Sequence, residues 1–244
     1  MKNPTEEYIA ARDEQVRVNM EDRDLRVLAE RFFAEMVRSN YGKNFTFTGV
    51  PILQLPTDLM VIQELIWNIQ PDVVIESGIA FGGGLLFYAS VLEVIGKGKV
   101  LGIDIDPRDH NMKVLEKHPL RHRISVVKGS SIDKKIIEAT RDYCRDGKVM
   151  VILDSCHSAD HVLQELRLYA PLVSVGSYVI VMDTAIEFFF HFDRNQDRPW
   201  KPGNSPYSAV QEFMKGNDEF VVDKEVEQRT LLTAAPGGWL KRIK

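Results

Sequence analysis

PDVVIESGIAFGGGLLFYASVL, residues 71–92, and VLGIDID, residues 100–106, together decide how this chain is read. Val73, Val74 and Ile75 make a short buried-strand pattern that runs into Glu76 and then into Gly78, Gly82, Gly83 and Gly84. An apolar helix pattern follows directly, and a second apolar strand ends in Asp104. Strand, glycine loop, helix, strand and acid in that order hold a nucleotide-like cofactor through backbone amides and ribose hydroxyls.

The rest of the chain repeats the alternation. Strands are expected at 72–76, 99–104, 123–128, 148–153 and 176–182, with helices near 83–95, 108–117, 132–144 and 158–170. This spacing predicts a parallel sheet with helices on both faces. Two closing strands are expected at 220–226 and 230–235, with GGWLKRI (237–243) continuing or hairpinning back. The few residues between them are too short for a parallel crossover, so they must run antiparallel if they pair. An antiparallel ending is a feature of S-adenosylmethionine folds, whereas nicotinamide-binding domains continue in parallel. Before the core, residues 5–40 read as a charged helical segment, residues 41–56 as loop, and Thr57 as the cap of a helix running to about 69. The expected division is an N-terminal extension over 1–56 and a cofactor-binding domain over 57–244. The extension is either an accessory helix, a lid or an oligomer contact.

Bulk properties narrow the class. The 244 residues are 44% hydrophobic and 27% charged, with a net charge of −4, which argues against a nucleic-acid binder that relies on phosphate attraction. Two cysteines without a CxxC pair suggest a reducing cytoplasm, and no segment reads as a signal peptide or a membrane span.

The loop is ExGxxxGGG rather than GxGxxG. S-adenosylmethionine carries an ammonium where a dinucleotide carries pyrophosphate, and Glu76 at the strand tip suits the ammonium. Asp104, 28 residues on, is placed to accept from both ribose hydroxyls. Asp106 is the competing, more solvent-facing acid. Gly129, Ser130 and Ser131, after the third strand, could line the adenine edge or simply make a turn. The alternative for the glycines is that they only pack helix on strand.

Asp154 closes one strand and Asp183 the next, so adjacent parallel strands would set the two carboxylates side by side. That suggests a hard divalent cation such as Mg²⁺. His157, in Asp154-x-x-His157 spacing, would then stand where a hydroxyl proton can be taken. The alternative is two helix caps and a turn histidine. His157 and His161 lie four apart, but no HExxH or cysteine cluster supports zinc. No GxSxG elbow supports a hydrolase.

GVPILQLPTDLMVIQELIW (49–67), the glycine-loop segment and PWKPGNSPYSAVQEFM (199–214) carry a closer likeness. From about residue 40 onward the chain resembles the cephalosporin hydroxylase-like family of S-adenosylmethionine-dependent O-methyltransferases. The resemblance implies a class I methyltransferase fold, a mostly parallel seven-stranded sheet with an antiparallel C-terminal hairpin, often oligomeric. It also implies transfer to a hydroxyl of a sugar or natural product. Related macrolide-sugar enzymes hold Mg²⁺ on an Asp matching Asp154 and on an acidic pair after the next strand, with a histidine base matching His157. Here that pair reads Met182–Asp183, leaving Asp183 as its one acid, with Glu187 a turn later as a possible substitute. The loop's last position, commonly serine in the family, is Gly84, with little consequence expected. The competing readings are a methyltransferase fold without catalysis and a nicotinamide oxidoreductase.

Overall fold

The computed structural model describes residues 3–194 and 196–244. Two charged helices lead, α1 (Pro4–Glu21) and α2 (Arg23–Ser39). The single helical segment expected over 5–40 breaks at Asp22, whose extended backbone lets its carboxylate accept from the Leu25 amide at 3.0 Å. An aspartate competes with the helix by capping it. Residues 41–56 are more ordered than a loop, with a small hairpin of β1 (Thr46–Phe47) and β2 (Val50–Pro51).

The helix α3 (Pro56–Ile69) starts at a proline rather than at a threonine cap. Thr57 instead donates its hydroxyl to the Leu232 carbonyl at 2.9 Å. Then follow β3 (Val73–Ser77), α4 (Gly83–Ile95), β4 (Lys99–Asp104), α5 (Asp109–Lys117), β5 (Ile124–Lys128) and α6 (Lys134–Tyr143). The second half holds β6 (Val149–Leu153), α7 (Ala159–Tyr169), β7 (Tyr178–Val181), the short α8 (Ile186–Phe189), and α9 (Pro206–Met214). The chain closes with β8 (Phe220–Val222), α10 (Lys224–Thr230) and β9 (Trp239–Arg242).

The seven-stranded sheet runs β5-β4-β3-β6-β7-β9-β8, parallel except for β9, which is antiparallel to both its neighbours. The antiparallel ending is as expected, but not by the expected route. Residues 224–230 form a helix, because Asp223 caps it at the Val226 amide and because Val226 and Thr230 are buried with helical rather than alternating spacing. No strand forms at 230–235; the final strand lies at 239–242, within the GGWLKRI stretch expected to continue or hairpin back.

Alternate strand residues face opposite layers. Val74, Ile152 and Ile180 pack with α3 and α4, while Ile75, Val151 and Val179 pack with α7 and α9. β3 lies between β4 and β6, so successive connections leave it in opposite directions. The crevice at the carboxyl ends of these strands is where such sheets place ligands. Outside the sheet, α2 docks through Phe33 and Met36 on Ala185 and Phe189, with the Phe33 and Phe189 rings 4.6 Å apart. Among the described residues no helix is long and apolar enough to cross a membrane.

Candidate active site

Glu76 ends up almost fully buried near the tip of β3. Its Oε1 accepts from the Tyr88 hydroxyl at 3.1 Å, and Oε2 has no partner among the described residues. Burial pushes the carboxyl up to about 8, against the opposing Tyr88 hydrogen bond and with a further push from Asp104. Tyr88 also meets both amide atoms of the buried Gln54, at 2.9 and 3.1 Å, and Gln54 Nε2 reaches Asp154 Oδ2 at 3.5 Å. A polar thread therefore links the glycine-loop acid to the acid after β6. Gln54 lies in the 49–67 segment that carries the family likeness and Tyr88 in the helix after the glycines, but within those stretches each reads as an ordinary residue of an apolar segment.

Two of the glycines are shaped by this crowding. Gly78 has φ +81, and a side chain on it would strike the Asp154 backbone, so the loop after β3 presses against the segment after β6. At Gly84 a β-carbon would lie 2.5 Å from Glu76 Oε1. The carboxylate occupies the space a side chain would take, so the position is not neutral as expected. Gly82 and Gly83 begin α4 against Leu115 and the Pro51 carbonyl.

Asp104 accepts from the Ile79 amide at 3.0 Å and from the Asp106 amide at 2.8 Å, which orients its carboxylate at the end of β4. Asp106 is exposed and paired with Lys128 at 3.1 Å. Asp104 lines a cavity of about 320 Å³ together with Gly78, Gly129, Ser130, Ser131 and His161. A second cavity, about 370 Å³, opens beside it between α2, α8 and the strand ends, lined by Gln54, Asp154, His157 and Asp183 among others. Trp200 lines both. Its ring meets the His157 ring edge-on, 4.9 Å between centroids, and the Arg198 guanidinium lies 5.1 Å from it.

The three residues read as metal site and base converge. One ligand atom from each of Asp154, His157 and Asp183 lies within 4.8 Å of the others. His157 Nε2 is 3.4 Å from Asp183 Oδ2. Burial, then the charges of Asp183 and Glu76, hold Asp154 well above the usual carboxylate range, a cluster of unneutralised acid that a cation would relieve. Met182 turns into the core at 2% exposure. Glu187 does not stand in for it: its carboxylate accepts from the Gly203 amide and from the Ser205 and Ser208 hydroxyls. His157 and His161, despite their spacing, serve different cavities.

Of the residues expected at the cofactor, Gly78, Asp104, Ser130 and Ser131 line one cavity, whereas Glu76, Gly82 and Gly83 line neither; the neighbouring cavity is floored by two carboxylates and a histidine. The rhamnosyl O-methyltransferase/CmcI family model matches residues 39–243. The chain belongs to that family. It is an S-adenosylmethionine-dependent O-methyltransferase, in keeping with its relatives. A rhamnosyl O-methyltransferase of Mycobacterium tuberculosis is 33% identical over 207 residues, 81% of this chain and 78% of that one. Its counterpart in Mycobacterium leprae is 32% identical over 223 residues, 86% of this chain and 90% of that one. Among solved structures, a CmcI structure with Mg and SAM superposes with a TM-score of 0.59 at 18% identity over 83% of this chain and 78% of that one. A caffeoyl-CoA O-methyltransferase homologue from Staphylococcus aureus gives 0.53 at 17% identity over 87% and 92%. These two likenesses show the class I methyltransferase fold.

Proposed function

We propose that this enzyme methylates a hydroxyl of a sugar or sugar-bearing natural product, assisted by a divalent cation, with His157 as general base. The observation that carries the reading is the convergence of Asp154, His157 and Asp183 at the floor of a cavity adjoining the cofactor cavity.

The residues fit both groups. Glu76 Oε2 is buried without a partner, as an ammonium-binding oxygen would be, and Asp104 is held ready for ribose hydroxyls. Gly78 brings the two loops together, and Ser130 and Ser131 would line the base. Asp154 and Asp183 supply oxygen ligands suited to Mg²⁺. A cation there would fix the acceptor oxygen and lower the pKa of its hydroxyl. His157 would take that proton on Nε2, leaving the freed oxygen to receive the methyl group that S-adenosylmethionine would supply when bound. Trp200 packs on the His157 ring where the two cavities adjoin. Orientation in adjoining cavities supplies much of the rate.

Residues 1–56 belong to this reading as an accessory unit, since Phe33, Met36 and Gln54 line the acceptor cavity. We also propose a homo-oligomer, in which α1, which buries none of its side chains and leaves Tyr8 exposed, would meet the partner copy, and a cytoplasmic location, in keeping with two free cysteines.

The test is incubation with S-adenosylmethionine, Mg²⁺ and a panel of deoxysugar-bearing acceptors, following S-adenosylhomocysteine and the methylated product by mass spectrometry. Product dependent on cation and on a free sugar hydroxyl supports the reading. Cofactor binding with no turnover on any acceptor would favour a fold that binds without catalysis.

A further inference from the structure

His161 lies on the cofactor side and takes no part in the proton transfer described above. Its Nε2 stands 3.2 Å from Ser131 Oγ, 3.2 Å from Ser155 Oγ and 3.6 Å from Glu165 Oε1. Glu165 is fully buried, and its Oε2 has no partner among the described residues. Ser155 donates its hydroxyl to Glu165 Oε1 at 2.8 Å. With that proton committed, Ser155 can offer His161 only a lone pair. Nε2 therefore faces a Ser155 lone pair and the Glu165 carboxylate, and the Ser131 hydroxyl can turn to accept as well; the arrangement is satisfied when Nε2 carries the proton. Nδ1 of the neutral ring is then a bare acceptor, with no hydrogen-bond partner among the described residues, on a side chain that lines the cavity of Asp104.

We propose that His161 reads the purine base of the cofactor, its Nδ1 accepting from the exocyclic 6-amino group. The inference rests on the cofactor reading above and deepens it. Asp104 marks the ribose end of the cavity, and the base must continue along the same wall, where Gly129, Ser130, Ser131 and His161 stand. Ile105, 70% exposed, and Cys156 supply less polar surface beside them. An amino group there meets a lone pair. A 6-oxo group would set one lone pair against another, and a site built to pair a polar group rejects the analogue that cannot.

The experiment is calorimetric titration of S-adenosylhomocysteine and of S-inosylhomocysteine, in which a 6-oxo group replaces the amine. Wild type, His161→Ala and His161→Gln are compared. The glutamine amide reaches the position of Nε2 and keeps a donor toward Ser155 and Glu165 while removing Nδ1, so it guards against a misfolded alanine variant. Wild type is expected to prefer the adenine ligand about tenfold, near the upper end for one neutral hydrogen bond. His161→Gln should bring the two affinities within about twofold by weakening the adenine ligand. No preference in wild type, or a preference undiminished in His161→Gln, overturns the inference. Wild type that binds neither ligand overturns the cofactor reading itself, and this inference with it.

Discussion

His157 Nε2 lies 3.4 Å from Asp183 Oδ2, and Asp183 reaches it from a left-handed backbone conformation, φ +57, two residues after the end of β7. A non-glycine residue in that region is uncommon, and here it turns the carboxylate toward both Asp154 and the histidine. One ring cannot at the same nitrogen be cation ligand and proton acceptor. His157→Ala separates the roles: as base, its loss should lower kcat by about 10²–10⁴-fold and leave Mg²⁺ and S-adenosylhomocysteine affinities within a few-fold. Titration calorimetry and steady-state kinetics check this, and a collapse of Mg²⁺ affinity would make His157 a ligand instead.

The acid cluster makes a prediction for the metal. Asp154→Asn and Asp183→Asn should each weaken Mg²⁺ binding, and chelation should stop turnover without displacing S-adenosylhomocysteine. Full activity after exhaustive chelation, measured with the same acceptor, would remove the cation from the reaction.

Glu76 should make stability depend on pH. Its folded pKa of about 8 lies above its ordinary 4.5, so the folded protein keeps a proton that the unfolded chain has released. A raised carboxyl pKa therefore costs stability as pH rises from about 4.5 to 8, by roughly 5 kcal/mol at most. Asp58, pushed by burial to about 7, adds a similar slope from its own buried carboxyl. Melting temperature of the cofactor-free protein should fall across that window, and Glu76→Gln should flatten the fall in part. An identical pH profile in the variant would show that Glu76 is not the group responsible.

Gly84→Ala places a β-carbon against Glu76 Oε1. The displaced carboxylate should weaken S-adenosylhomocysteine binding by tenfold or more, on the order of 1.4 kcal/mol, while Mg²⁺ affinity holds. Unchanged affinity would mean that Glu76 relaxes freely or does not meet the cofactor.

Glu187 gathers the Gly203 amide and the Ser205 and Ser208 hydroxyls, at 3.1, 2.5 and 3.2 Å. Glu187→Ala should loosen the segment that carries Trp200. Limited proteolysis is expected to cut faster between 193 and 204, with a higher KM for the acceptor. Equal cutting rates in variant and wild type would show that other contacts hold the segment.

Local pattern made much of this protein legible. β3, β4 and β6 read as apolar runs because both faces of a parallel strand are buried. Glu76, Asp104, Asp154 and Asp183 were visible because each is the polar residue that ends such a run. Patterns failed where a single side chain diverted the backbone. Asp22 divided one expected helix, and Asp223 began a helix where a strand was expected.

From residue order alone came the strand–loop–helix alternation and the acids at the strand ends, which rest on short-range periodicity and spacing, and the likeness to a methyltransferase family, which rests on the segments at 49–67, 71–84 and 199–214. Folding alone brought together residues far apart in the chain. Gln54 and Tyr88 became a thread between Glu76 and Asp154, and Trp200 became the shared wall of two cavities. His157 and His161, neighbours in sequence, were sent to opposite sides of that wall. Such relationships depend on how β3, β6 and β7 stand side by side and on which way each loop leaves them, and no local pattern records that geometry.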